Sequence, residues 1–295
     1  MSNHVLVQKE AEGRQTHAFR TEAQALHSVK VDSVDFAEVE ERLLSGVNAW
    51  VKHCTKGHVH KMLDSAPASD SSLVILNTSY FKGKWAKPFD KELTEKMPFY
   101  SLGQRESHAS FMAMYGKPFQ YAVEEVAGEK IQIVEIPYAD SCSSMLIFLP
   151  ERIDGLRNML LSQAFVRDTL KLLSSLATEK TMIDLFLPKF RIESDVDLKP
   201  CLSAMDMEGI FAPAADFSDI SPDVRLHVTD MRQKAVVEMD EEGTEVPVVT
   251  AMMVMRCCMV EVLEEIEYKA DHPFLYVIMD RKSGLVFFIG KVESL

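Results

Sequence analysis

The sequence has no apolar run long enough to cross a membrane, and it has few cysteines that could pair. A membrane-spanning helix needs about 18 or more apolar residues in a row, and no stretch of this chain approaches that length. The five cysteines are widely scattered apart from one adjacent pair, which is not the pattern of a disulfide framework. A net charge of −13 argues against a nucleic-acid partner, because phosphate binding needs clustered lysine and arginine. We expect a soluble protein with reduced thiols and no membrane or nucleic-acid partner.

The motifs of common catalytic and cofactor sites are also missing. There is no G-x-S-x-G elbow, no P-loop and no G-x-G-x-x-G turn. His53, Cys54, His58 and His60 lie close together, but their spacing matches no standard zinc set and favours solvated residues at the end of a helix. The sequence therefore predicts a protein that is not an enzyme and that holds no metal or cofactor.

The N-terminal stretch, MSNHVLVQKEAEG, lacks the uncharged core of a signal peptide. Together with the cysteine pattern, this favours the cytoplasm. Because a leader is lost when the start of a chain is lost, an extracellular location stays open as the alternative.

Helical and strand patterns are interspersed along the chain, which is typical of the α+β class. Apolar residues recur at helical spacing in Thr16–Val31, in Ala37–Leu63 up to a stop at Lys56-Gly57, and in Ile153–Leu176. We find no internal repeat, low-complexity tract or linker, so we expect one domain over residues 1–295. Runs of strand formers that end at turn residues predict the strands, at residues 2–9, Leu73–Lys82, Phe111–Tyr115, Ile131–Pro137, Met145–Pro150, Thr181–Ile192, Leu226–Glu238, Phe274–Asp280 and Leu285–Val292.

One stretch has strand composition but no evident place in a sheet. Five acidic residues surround Gly243, and no charge occurs from Val246 to Met255. The pattern alone indicates a turn that leads into a strand of β-branched residues. However, no turn residue follows Thr250, and Arg256 interrupts the apolar run. The stretch is either a core strand or a strand held in reserve.

Five short motifs occur in the order in which one known family has them. They are NTSYFKGKW at Asn77–Trp85, LPKF at Leu187–Phe190, ADFSDIS at Ala215–Ser221, EEGTE at Glu241–Glu245 and ADHPFLYVI at Ala270–Ile278. Each motif alone is weak, but together they resemble the serpins across nearly the whole chain. The resemblance implies an α+β fold with a large mixed central sheet, smaller sheets, packed helices and an exposed reactive-centre loop.

The resemblance also implies an inhibitor that a trypsin-like serine protease attacks as a suicide substrate. Residues 238–262 form the hinge and the reactive-centre loop, and the usual interval of fourteen residues from Gly243 reaches Cys257. The scissile bond is Arg256–Cys257 if the loop is one residue short, and Cys257–Cys258 otherwise. We favour the first, because MMVMRC is similar to the reactive bond of an intracellular, ovalbumin-type branch. The alternative is a non-inhibitory serpin, cleaved as a plain substrate or acting as a binding or storage protein.

Further site residues follow from the resemblance alone. Asn77, Lys189 and Gln233 resemble residues that control the opening of the main sheet. Lys189 with Glu241 also resembles an ion pair at the top of that sheet. Asn77-Thr78-Ser79 also matches a glycosylation sequon, but its place inside a strand favours a buried Asn that bonds neighbouring backbone. The hinge comprises Glu241, Glu242, Gly243, Thr244, Glu245, Val246, Pro247, Val248, Val249 and Thr250.

Three features depart from the family pattern. The helices that precede the second sheet strand are missing, so we expect an N-terminally truncated serpin that is less stable than a complete homologue. Gln233 stands where the family often has histidine. Val246-Pro247-Val248-Val249 replaces the small residues of an inhibitory hinge, which we expect to slow strand insertion. We expect a monomer that is prone to loop–sheet polymerisation.

Overall fold

The structure is a computed structural model, and it describes residues 2–27, 29–37, 40–102, 105–126, 128–162, 180–242 and 266–295. These residues form two compact units. Unit 1 consists of Met1–Phe81 and Ile192–Val237, and unit 2 consists of Lys82–Arg191 and Glu238–Leu295. The single domain over residues 1–295 stays a prediction.

The helices and strands follow one another as in an α+β protein, as the sequence predicts. In the described part of the chain, the α-helices are α1 (Arg14–His27), α2 (Glu40–Cys54), α3 (Gly155–Leu161) and α4 (Leu198–Ser203). The strands are β1 (Ser2–Gln8), β2 (Val29–Val34), β3 (Leu73–Phe81), β4 (Glu95–Ser101), β5 (Arg105–Val126), β6 (Glu129–Pro137), β7 (Ser143–Pro150), β8 (Lys180–Pro188), β9 (Phe190–Asp197), β10 (Val228–Met239), β11 (Ile266–Lys269), β12 (Phe274–Asp280) and β13 (Val286–Val292).

Unit 1 is built on a mixed five-stranded sheet with the order β2-β1-β3-β10-β9. β1 runs parallel to β2 and antiparallel to β3, and β3 runs parallel to β10. Alternate residues of a strand point to opposite faces, so the apolar run at the start of β3 serves two cores. Leu73 packs with Val5 and Phe211 in one cluster, whereas Val74 packs in a second cluster with Val51 of α2.

Helix α2 ends at the stop that the sequence predicts. Lys56 and Gly57 both have positive φ angles, and the Gly57 amide donates to the Lys52 carbonyl at 2.7 Å. This closure satisfies carbonyls at the helix end. The apolar residues that continue to Leu63 are buried but not helical. The Asn48 Oδ1 atom holds the end of this segment against α2, because it accepts hydrogen bonds from the Met62 and Leu63 amides at 2.7 and 3.2 Å.

Unit 2 is built on an eight-stranded sheet in which β11-β8-β5-β6-β7-β12-β13 follow one another and β4 pairs with β5. β5 has 22 residues, far more than the predicted strand Phe111–Tyr115. Gly116, with φ +53°, absorbs a register shift between Met114 and Lys117. The strand therefore continues past residues that resemble a stop, and it pairs with β4 along its first half and with β6 along its second.

The core of unit 2 lies on strands β6, β7 and β12, which are apolar along most of their length. Phe148 and Ile133 pack with Val277 and with Leu156 of α3, and all four are almost fully buried. Tyr268 is also buried, and its hydroxyl donates to the Ile147 carbonyl at 3.0 Å, which satisfies its one polar atom. No helix among the described residues is both long and apolar enough to span a bilayer.

Candidate functional site

The parallel strands β3 and β10 of unit 1 are direct neighbours. Their pairing extends from Leu73 opposite Val228 to Phe81 opposite Val237, with one irregularity between Val228 and Asp230. On the sides where β3 and β10 face each other, the backbone groups of each strand are therefore already bonded to the other strand. An additional strand could enter here only if this pair separated.

A row of three amide side chains crosses the sheet at its centre. Asn77 lies directly opposite Asn3 on one side and Gln233 on the other. Its Nδ2 atom donates to Asn3 Oδ1 at 2.6 Å, and its Oδ1 atom accepts from Gln233 Nε2 at 3.0 Å. Both polar ends of a residue that is only 6% exposed are thus satisfied. The row ties three strands together and includes two of the three residues predicted to control sheet opening.

The structure also settles what surrounds the sequon at Asn77. The residue is buried, as predicted, so its amide nitrogen is inaccessible in the folded chain. Its partners are the side chains of Asn3 and Gln233, whereas the sequence analysis expected backbone groups. The physical reason is the register, because a strand residue in a ladder faces the side chain opposite it.

Lys234 is a buried residue of this sheet that the sequence analysis missed. Its Nζ atom pairs with Asp195 Oδ2 of β9 at 3.2 Å and donates to the Lys61 carbonyl at 2.7 Å. A buried charge needs such partners, because desolvation without them is costly. The sequence feature that could have indicated this residue is the position of a lysine inside a predicted strand, directly after Gln233.

The end of β10 and the residues after it belong to unit 2, where Glu241 is buried in a polar cage. Its Oε2 atom pairs with Lys189 Nζ at 2.8 Å, its Oε1 atom accepts from Thr94 Oγ1 at 2.8 Å, and its carbonyl accepts from the Phe89 amide at 2.9 Å. Burial acts to raise the pKa of Glu241, but the hydrogen bonds from Lys189, from its own amide and from Thr94 outweigh it and hold the pKa below the usual value. The predicted partners Lys189 and Glu241 are brought together.

The neighbouring carboxylates are held by further lysines, which the sequence analysis did not single out. Lys82 Nζ lies 2.9 Å from Glu238 Oε1 and 2.6 Å from Asp240 Oδ2. Burial acts to lower the pKa of Lys82, but its hydrogen bonds to Asp240 and Glu238 outweigh burial and raise that pKa. Lys91 pairs with Glu242. Three lysines from distant parts of the chain therefore pair with the four carboxylates before the loop, and Lys82 is shared by two of them.

The remaining predicted site residues lie outside the described part of the chain, which stops at Glu242 and resumes at Ile266. They are the hinge residues Gly243, Thr244, Glu245, Val246, Pro247, Val248, Val249 and Thr250, and the scissile-bond residues Arg256, Cys257 and Cys258. Their roles stay predictions.

Within the described ranges, no group of three or more His, Cys, Asp or Glu side chains has an arrangement that could hold a metal ion. Of the residues first considered as a zinc cluster, His58 stacks on Tyr80 with ring centroids 3.9 Å apart. The described candidate site thus has two parts. In unit 1, the parallel strands β3 and β10 are paired directly with each other. In unit 2, Glu241, which follows β10, is held by Lys189 and Thr94.

Comparisons with known proteins agree with one another. The family model described as "Serpin (serine protease inhibitor)" matches residues 1–295. The chain is 32% identical over 288 residues to Serpin B4 of Homo sapiens, which covers 96% of this chain and 72% of that protein. It is 32% identical over 272 residues to Serine proteinase inhibitor 2 of Rabbitpox virus (strain Utrecht), covering 90% and 74%. The structure of uncleaved ovalbumin is similar with a TM-score of 0.83 and 26% identity, over 100% of this chain and 73% of that one.

Proposed function

This chain belongs to the serpin family, and from that premise we propose that it inhibits a trypsin-like serine protease as a suicide substrate. The name of one similar protein, Serine proteinase inhibitor 2, and the family description, serine protease inhibitor, support inhibition. In this proposal the protein is a binding partner and substrate of a protease and not itself an enzyme.

The observation that carries the proposal is the direct parallel pairing of β3 with β10. The chain leaves β10 at its C-terminal end, so a segment that folds back alongside it runs antiparallel to β10 and therefore also to β3. Antiparallel pairs are slightly more stable per residue than parallel ones. Insertion of one strand would thus exchange one parallel pair for two antiparallel pairs, which supplies a driving force for the change.

The proposed bait is Arg256. The protease serine attacks the Arg256 carbonyl carbon, the bond to Cys257 breaks, and the amine of Cys257 leaves with a proton from the protease histidine. An arginine side chain fits the acidic specificity pocket of a trypsin-like enzyme. Cleavage frees residues 244–255 to insert between β3 and β10 with the acylated protease attached. If Cys257–Cys258 is the cleaved bond, the attack is on Cys257 instead.

A second candidate function is that of a non-inhibitory serpin. The observation in its favour is the hinge sequence Val246-Pro247-Val248-Val249. Proline has no amide hydrogen for the ladder and is rare inside a central strand. If insertion is slower than hydrolysis of the acyl-enzyme, the chain is released as a cleaved substrate.

Incubation with trypsin, followed by denaturing gel electrophoresis and mass spectrometry, tests the proposal. We expect a covalent adduct with trypsin that survives denaturation, together with a larger amount of cleaved chain. The mass of the released C-terminal peptide identifies the cleaved bond. The Arg256→Ala variant should form neither product, and active-site-blocked trypsin should form no adduct. Complete cleavage without any adduct would establish the non-inhibitory alternative, and no cleavage near Arg256 would mean that this stretch is not a bait.

A further inference from the structure

A cavity in unit 2 has the features of a ligand site that the proposed inhibition does not use. It has a volume of about 210 Å³ and lies on the sheet where β5, β6 and β8 adjoin. Ala86, Pro118 and Pro137 are among its lining residues. We propose that this cavity binds a small organic anion with an aromatic body, such as an aryl carboxylate, sulfonate or phosphate.

The charge around the cavity is opposite to that of the whole chain. Lys87, Lys117, Lys180 and Arg281 line it, in a protein with a net charge of −13. Among the residues that the structure describes, none is an ion-pair partner of the three lysines. Among the described lining residues, the acidic one is Glu135, which is 7% exposed and pairs with Arg281 at 2.6 Å. Positive charges around a cavity with walls of low dielectric constant produce a positive potential inside it, which attracts an anion.

Two of the four cations, Lys180 and Arg281, belong to a row of residues that crosses the sheet. Gln120 of β5 lies opposite Lys180 of β8 on one side and opposite Glu135 of β6 on the other. Arg281 bridges this row, because its guanidinium pairs with Glu135 and also donates to Gln120 Oε1 at 2.9 Å. Residues directly opposite in a sheet share a face. The row therefore places Lys180 and Arg281 at the cavity without the help of a ligand.

The apolar part of the lining indicates what the rest of the ligand is. Pro118 and Pro137 lie two residues from Gln120 and Glu135 along their strands, so they flank the cationic row on the same face. Ala86 is held beside them, because its amide donates to the Pro137 carbonyl at 2.9 Å. Flat, rigid apolar surfaces suit a ring, and a cavity of about 210 Å³ admits one or two fused rings but not a larger molecule. An inorganic ion would leave these surfaces without contacts.

Three probes of matched shape or charge test this inference by isothermal titration calorimetry. Naphthalene-1-sulfonate carries both the ring and the charge, naphthalene-1-sulfonamide carries the ring alone, and inorganic sulfate carries the charge alone. We expect the sulfonate to bind the full chain, the sulfonamide to bind at least tenfold more weakly, and sulfate to give no measurable heat. The affinity of the sulfonate should fall as salt is raised from 50 to 500 mM, because exposed lysines supply the attraction.

Two kinds of variant locate the binding. Lys117→Glu/Lys180→Glu should weaken sulfonate binding at least tenfold, whereas Lys96→Glu/Lys130→Glu makes the same change of net charge on exposed strand residues away from the cavity and should change affinity less than twofold. Ala86→Trp fills the cavity without a change of charge and should also abolish binding. Melting temperatures establish that each variant is folded. Equal affinity in the two charge-reversal variants, or unchanged affinity in Ala86→Trp, would overturn the inference, as would the absence of sulfonate binding to the unaltered chain.

Discussion

The side-chain amide of Gln233 donates a hydrogen bond of 3.0 Å to Asn77 Oδ1, and the two residues lie directly opposite each other on the parallel strands β10 and β3. Asn77 uses its other polar atom on Asn3, so one buried side chain holds three strands. If the proposed insertion occurs between β3 and β10, this hydrogen bond breaks when the strands part. Its strength then contributes both to the stability of the resting protein and to the barrier for insertion.

A double-mutant cycle measures that contribution. Asn77→Ala should destabilise the protein by about 2–3 kcal/mol, because it leaves Asn3 and Gln233 without a partner inside the sheet, and Gln233→Ala should cost about 1 kcal/mol. The double variant should be less destabilised than the sum of the two, with a coupling of about 1 kcal/mol. Urea unfolding followed by circular dichroism gives the free energies.

A neighbouring residue supplies the control for this cycle. Thr78 is buried, and its hydroxyl has no hydrogen-bond partner among the described residues. Thr78→Val keeps the shape and removes an unsatisfied polar atom, so it should be neutral or stabilising. A loss at Thr78→Val as large as the loss at Asn77→Ala would show that any change in this strand is harmful and that the amide row has no special role.

Gln233 also determines how the stability of the pairing between β3 and β10 depends on pH. An amide does not titrate, so Gln233 gives the pair no dependence on pH near neutrality. Gln233→His should introduce one, because protonation of a half-buried imidazole is disfavoured and its pKa in the folded state falls below the unfolded value. The Gln233→His variant should then keep its full stability above the unfolded histidine pKa of about 6.5. It should lose stability as the pH falls from that value through the lower pKa of the folded state.

Unfolding midpoints at pH 8, 7, 6 and 5.5 test this pH dependence, with Gln233→Met as a variant of similar length that does not titrate. The same slope in the histidine variant, the methionine variant and the unaltered chain would count against a role of residue 233 in setting the pH response. The rate of loop insertion, measured in parallel, should show the opposite trend, because a weaker pairing between β3 and β10 opens more easily.

Two lysines pair with adjacent glutamates in different surroundings, which allows a matched comparison. Glu241 is 5% exposed and is held by Lys189, whereas Glu242 is 37% exposed on its side chain and is held by Lys91, itself 64% exposed. Lys189→Met should cost about 1–2 kcal/mol, since it leaves a buried carboxylate with fewer partners; the figure is kept low because Lys189 is partly exposed. Lys91→Met should have a much smaller effect, because both partners of that pair are exposed to solvent.

Thermal unfolding of both variants checks this difference. Equal effects of the two substitutions would contradict the view that burial of Glu241 sets the importance of its ion pair. High salt should reduce the small effect at Lys91 more than the larger effect at Lys189, because exposed pairs are screened more strongly.

The lowered pKa of Glu241 predicts a sensitivity to acid. A carboxylate whose folded pKa lies below its unfolded value adds stability that is complete above the unfolded pKa and is lost as the pH falls through the folded pKa. Here the hydrogen bonds from Lys189 and Thr94 keep the ionised form, against the effect of burial. Stability should thus decline below about pH 4.5, and Glu241→Gln should flatten that decline while lowering stability at pH 7. If the stability of Glu241→Gln declined at acid pH as steeply as that of the unaltered chain, other carboxylates would be responsible for the decline.

Local patterns in the sequence were sufficient for the strands of the cores. β3, β7 and β12 are apolar runs that end at turn residues, and the structure confirms them nearly to the residue. Strands β4 and β11 were missed because their patterns are weak: β4 contains Pro98 and several polar residues, and β11 has only four residues. The helix predicted over Thr16–Val31 was wrong at its end, because Val29 already belongs to strand β2. β5 was cut short because a glycine and a proline resemble a stop, although Gly116 only shifts the register.

The site could be predicted only where the family resemblance named residues. Nothing in the local pattern says that Lys82 pairs with Glu238, because 156 positions separate them in the sequence. The same holds for Lys189 with Glu241 and for Asn77 with Gln233, whose proximity is produced by sheet register. Lys91, Thr94 and Lys234 were missed because a lone polar residue in a strand or turn has many possible partners. Pairing of distant charges is a property of the folded chain.

The hinge sequence leads to the prediction that bears most directly on the proposed function. Pro247 would leave one ladder position of an inserted strand without a donor, a loss of about 0.5–1.5 kcal/mol. That loss is small in equilibrium terms, but a barrier higher by about 1.4 kcal/mol slows insertion tenfold, and trapping succeeds only if insertion outruns hydrolysis of the acyl-enzyme. We therefore expect trypsin to cleave many molecules for each one that traps it.

Pro247→Ala should raise the fraction captured as covalent complex several-fold and lower the number of molecules consumed for each protease inhibited. Pro88→Ala, at an exposed proline outside the hinge, is the matched control and should leave the ratio unchanged. Quantitative gels at a series of protein-to-trypsin ratios give the captured fraction directly. If the unaltered chain already traps trypsin one-to-one and Pro247→Ala has no effect, then proline and valine in the hinge do not limit insertion. The chain would then be an ordinary inhibitory serpin, because the insertion step between β3 and β10 would outrun hydrolysis of the acyl-enzyme despite Pro247.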